Sequence, residues 1–153
     1  MPHDELREDI RSDARERALA LLYEAESKDV TPGEVLAGLP VPPAPMVTEL
    51  VEGVEANRPE LDQLIVAHAR NWSLERMPAI DRNLLRLALY ELKDRPEVPV
   101  AVVIDEAVEL AKRFSTDDSG RFVNGMLSAI APKLRPSRDL LLDRPAEDDQ
   151  PPS

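Results

Sequence analysis

The sequence predicts an all-α protein, a compact single domain of about seven helices in two packed subbundles. Two observations lead there. The composition is 42% hydrophobic but only 3% aromatic, with Ala, Leu, Val, Glu and Arg dominant, and such aliphatic chains favour helix over sheet. Apolar residues also recur at spacings of three and four between prolines, the period of a helix with one buried face. A chain of 153 residues is long enough for one ordinary core.

Leu6, Ile10, Ala14, Ala18 and Leu21/Leu22 make the segment from about Asp4 to Lys28 one amphipathic helix, frayed over residues 1–12. Thr31-Pro32-Gly33-Glu34 then supplies a capping hydroxyl, a proline at the first helical position and a glutamate three residues after the cap. The short helix they open ends near Gly38, before the extended connector Pro40 to Pro45. Val47, Leu50, Val51 and Val54 form the next stripe, and Pro59 is expected to end it near Asn57 and restart a separate helix carrying Leu61, Leu64, Ile65 and His68. After Pro78, Ile80, Leu84, Leu87, Ala88 and Leu92 share a face with Leu85 and Leu89 beside it, so this helix is expected to be buried on most sides. Val103, Ala107, Leu110 and Ala111 define the next, and the last is expected from Ser119 to Ala131, stopped by Pro132. Residues 136–153 are rich in proline and acid and read as a disordered tail to a domain of residues 1–135.

Cysteine is absent, which excludes disulfides, thiolate metal sites and cysteine nucleophiles. No apolar run approaches the ~20 residues of a membrane span, and the charged N-terminus lacks an export signal, so a soluble cytoplasmic protein is expected. The formal charge of −11 argues against strong stand-alone binding to a polyanion. His3 and His68 are the only histidines, and neither has triad or metal spacing. No P-loop, HExxH, GxSxG or GxGxxG occurs, so neither an enzyme nor a cofactor is expected. Asp105, Glu106 and Glu109 are followed within a turn by Lys112 and Arg113, the pattern of a salt-bridged surface.

The segment FSTDDSGRFVNGML, from Phe114 to Leu127, is the one local puzzle. Its adjacent acids and missing glutamate do not fit a calcium loop, which needs oxygens at alternate positions. Asp117, Asp118 and Ser119 instead fit the start of a helix, where free amides attract side-chain oxygens. Two readings of the remainder stay open. Gly125 allows close packing against another helix, while Arg121 and Phe122, in the first turn beside exposed amides, suit an unpaired nucleotide by charge and stacking.

Several segments together resemble the NusB transcription antitermination factors: ARERALALLYEAE from Ala14, VEGVEANRPELDQLI from Val51, ERMPAIDRNLLRLALYEL from Glu75, and VPVAVVIDEAVELAKRFSTDDSGRFVNGMLSAIA from Val98. The IDEAVELAK segment followed by FVNG is the most specific part. The resemblance implies an all-helical fold of two subbundles and a non-enzymatic adaptor that pairs with the ribosomal protein NusE and binds boxA RNA of nascent ribosomal transcripts, acting through RNA polymerase and other Nus factors. It places RNA-binding residues at Arg11, Arg15, Asp118, Arg121 and Phe122, and NusE-binding residues at Tyr23, Glu75 and Asp81.

One departure bears on function. The family presents a run of arginines before its ARE motif, whereas residues 1–17 here hold four arginines against six acids, a net of −2. Each lost phosphate contact lowers the salt slope of single-strand binding by about 0.7, so RNA affinity of the free protein is expected to be weak, with NusE supplying positive charge. The alternatives are a protein-interaction module, including a homodimer that buries the arginines, and an accessory domain acting in trans with an RNA methyltransferase.

Overall fold

A computed structural model describes residues 2–136, and the expected acidic tail lies outside the described residues. Six α-helices and one 3-10 turn follow in order: α1 (Pro2–Lys28), α2 (Pro32–Ala37), α3 (Pro45–His68), the turn Leu74–Arg76, α4 (Ala79–Asp94), α5 (Val100–Phe114) and α6 (Asp117–Leu134). Helices α1 to α3 pack together as one subbundle and α4 to α6 as the other, with α4 touching α1, α3, α5 and α6.

The stripes read from the sequence bury as expected for most of their length. Ala14, Ala18, Leu21, Leu22 and Ala25 of α1 meet Leu50, Val51, Val54, Leu61 and Ile65 of α3, and the core continues through Leu84 to Leu92 of α4 and Val123 to Ala131 of α6. Among the described side chains of the α1 stripe Ile10 is the exception, 53% exposed, and that of Leu6 lies outside them. Helix α1 ends where Asp29 takes a left-handed φ of 56°, with Val30 N–H reaching the Ala25 carbonyl at 2.9 Å and closing the last turn. The capping box of α2 is present in both directions: Thr31 accepts from the Glu34 N–H and Glu34 accepts from the Thr31 N–H.

Two prolines expected to stop helices do not. Pro59 lies inside α3, so the two helices expected around it are one. The proline removes a single N–H, which orphans the Glu55 carbonyl, yet the ring is on the exposed side where water can reach the backbone. Val47 to Val54 before it and Leu61 and Ile65 after it bury against the same core, and that shared burial keeps the axis continuous. Pro132 likewise sits inside α6, which runs on to Leu134 and lets Arg135 turn inward. Arg135 is 4% exposed and donates to the carbonyls of Leu92 at 3.0 Å and Arg95 at 2.8 Å and also to that of Val98, satisfying the free end of α4 and the loop behind it.

Glycine packing also differs from the expectation. Nothing lies within 4 Å of where a Cβ on Gly125 would stand, so close helix packing there is corrected. The most crowded glycine is Gly53 of α3, where a Cβ would come within 2.1 Å of the Tyr90 ring on α4.

Candidate functional site

The start of α6 and the chain leading into α4 together build a largely apolar cleft. Ser115 ends α5 with its backbone turned out of the helix, and Thr116 caps α6 by accepting from the Ser119 N–H at 3.0 Å. The cap is thus Thr116, while Asp117 and Asp118 lie in the first turn, where their charge complements the helix dipole. Ser119 points inward: its hydroxyl is 2.8 Å from that of Ser115 and donates to Asp81 Oδ2 of α4 at 2.9 Å. This chain of hydroxyls fixes the α5–α6 corner to the start of α4.

On the other side, Met77 and Pro78 enter α4, and the loop after α3 carries Trp72. The indole is 51% exposed, and its ring centre is 6.5 Å from that of Phe122, the planes tilted by 44°. Trp72, Met77, Pro78, Asp81, Thr116, Asp118, Ser119 and Phe122 line a cleft of about 240 Å³. At its rim Asp118 and Arg121 are exposed and paired with each other.

The structure therefore brings Asp118, Arg121 and Phe122 together, and it adds Trp72, which sequence reasoning missed. No periodicity marks a lone tryptophan in a loop, and its partner Phe122 is far along the chain. Arg11 is half-buried on the first half of α1, whose middle is tied to the end of α5 by the pair of Glu16 with Arg113 at 2.6 Å.

Arg15 is not placed to touch RNA, which corrects the expectation from the resemblance. It is 2% exposed, and its Nε and Nη2 donate to the two carboxylate oxygens of Glu91 at 2.9 and 3.1 Å, with Glu106 at 3.7 Å. A signal was present in the spacing: Arg15 falls beside Ala14, Ala18 and Leu19, inside the buried stripe.

Asp81 is corrected in the same way as a partner-binding residue. It is 3% exposed and turned toward Ser119, so it presents no acidic surface. Tyr23, 42% exposed, and the exposed Glu75 remain available. They sit on elements that Arg82 joins: it pairs with Glu26, one turn beyond Tyr23, and donates to the carbonyls of Leu74 and Met77 that flank Glu75. Burial pushes the Glu26 carboxyl up, but hydrogen bonds from Arg82 and Asn83 and the charges of Arg82 and Arg86 outweigh it and hold the group below the ordinary glutamate value.

A family model described as the NusB family matches residues 12–132, most of the chain, leaving out the first ten residues of α1 and the last two of α6. The chain belongs to the NusB family. It is 54% identical over 127 residues to the transcription antitermination protein NusB of Saccharopolyspora erythraea, covering 79% of this chain and 86% of that protein. The NusB of Myxococcus xanthus is 46% identical over 134 residues, covering 81% and 96%. Among solved structures, T. maritima NusB superposes with a TM-score of 0.76 at 34% identity, covering 84% of this chain and 95% of that one. A crystal structure of antitermination factors NusB and NusE in complex with dsRNA superposes with a TM-score of 0.69 at 29% identity, covering 80% and 96%. The all-α, two-subbundle architecture is thus the NusB fold, with six helices and one short turn where about seven helices were expected. Among the described residues no helix is long and apolar enough to cross a membrane.

Proposed function

We propose that this protein is a transcription antitermination factor, a non-enzymatic adaptor that pairs with NusE and holds boxA-type single-stranded RNA of ribosomal transcripts for RNA polymerase. Membership of the NusB family, with relatives named for antitermination and a similar structure bound to NusE and RNA, supports the reading. The observation that carries it to particular residues is the exposed corner where Asp118, Arg121 and Phe122 surround an apolar cleft. An aromatic ring beside a cation and exposed helix amides suits an unpaired nucleotide. The family resemblance adds Arg11 of α1, half-buried, to the RNA-binding residues and assigns the exposed Tyr23 and Glu75 to NusE. Such an adaptor works by linkage, each ligand raising the apparent affinity of the other.

Fluorescence anisotropy of a labelled boxA-type RNA tests this, first with the protein alone and then with saturating NusE at ~150 mM salt. Weak binding alone and tight binding with NusE is the expected result. NusE binding with no RNA bound in either case would leave a protein-interaction module.

A further inference from the structure

We propose that the cleft between Trp72 and Phe122 seats one unpaired RNA base, with Trp72 as a stacking wall and Asp81 Oδ1 as acceptor for the N–H edge of that base. The inference rests on the RNA-binding reading above and adds two residues to it.

The size of the cleft fits a single flat ring. At about 240 Å³ it falls below the ~300–1,000 Å³ of pockets for drug-sized ligands, and its lining includes the apolar Met77 and Pro78. The ring centres of Trp72 and Phe122 stand 6.5 Å apart. At that separation and with their planes tilted by 44° the two rings touch each other, so a base enters when the exposed Trp72 swings off Phe122 and then stacks on the indole. Trp72 has room to do so, because it is 51% exposed and sits in the loop between α3 and the 3-10 turn.

The chemistry of the floor selects a base and not a phosphate. Asp81 is closed from solvent, and while its Oδ2 accepts from Ser119, its Oδ1 has no hydrogen-bond partner. A buried acceptor without a donor is costly, and the cleft it lines is where a donor can arrive once the indole moves. Nucleobases offer ring N–H and amino groups at their edges, while a phosphate offers only acceptors.

Trp72 is the only tryptophan in the chain, so its emission reports on this cleft alone. The full-length protein with NusE is titrated with boxA-type RNA while anisotropy follows binding and tryptophan-free NusE leaves the emission to Trp72. An abasic residue is then walked along the RNA. The expected result is quenching of Trp72 on binding, abolished by an abasic residue at one position and little changed by it elsewhere. W72A, at an exposed site that leaves the fold intact by circular dichroism, weakens binding roughly five- to 150-fold, the loss of one base–aromatic stack, while W72F retains most of it. D81N keeps an oxygen for Ser119 but turns an N–H donor toward the cleft, so it changes which base is preferred at the sensitive position; a residue that only held α6 in place would not. RNA bound with Trp72 emission unaltered, or with no single position controlling it, overturns the seat while leaving RNA binding standing. An unchanged base preference in D81N removes Asp81 from it. No RNA bound with or without NusE removes the RNA-binding reading and the seat together.

Discussion

Arg15 and Glu91 form a buried ion pair whose members are useful only together. Both side chains are 2% exposed, and two parallel hydrogen bonds join them. R15A leaves the Glu91 charge buried without its partner, an expected loss of about 3–5 kcal/mol, measured by urea unfolding. A role in RNA binding would instead show as lost affinity at unchanged stability. Glu26 gives a pH-dependent counterpart. Its carboxyl is held below the ordinary value of 4.5, so the stability it contributes is fully present above that pH and is lost as pH falls through the lowered folded value. E26Q is therefore expected to be less stable than the parent at neutral pH, with the gap narrowing on acidification below 4.5, as thermal melts across that range would show. Both residues could be read as charged in sequence, but their partners lie on other helices and were not legible.

Helices α3 and α4 show where local rules yield to packing. Pro59 should break α3 by its own chemistry, and its cost is borne because the stripe on either side buries against one core. The glycines of α3 and α6 separate the same two influences. At Gly53 a Cβ would collide with the Tyr90 ring, so G53A is expected to lower stability by about 1–3 kcal/mol. At Gly125 no atom is within 4 Å, so G125A is expected to raise it by roughly 0.5–1 kcal/mol through helix propensity alone. Thermal unfolding of the two variants side by side checks both signs. The sequence presents the two glycines alike, since each is a helix-weakening residue in an apolar pattern, and only the neighbouring element distinguishes them.

At the scale of the whole molecule the charge balance sets how the protein meets RNA. A formal charge of −11 and an arm netting −2 over residues 1–17 leave few cations to neutralise phosphates. The logarithm of RNA affinity against the logarithm of salt is therefore expected to have a shallow slope for the free protein, steepening by about 0.7 for each phosphate contact that NusE contributes. Titrations at several salt concentrations with and without NusE measure it, and equal slopes would exclude a basic contribution from the partner. The sequence by itself determined the all-α class, the cap of α2, most of the buried stripes and, through the segments around IDEAVELAK and FVNG, the family, because propensity, period and motif are local properties of the chain. Only the tertiary structure decided that Pro59 and Pro132 lie within helices, that Arg15 and Asp81 are buried, and that Trp72 faces Phe122. Each of these depends on what a distant element brings to the residue, and burial, pairing and ring contact are properties of two segments at once.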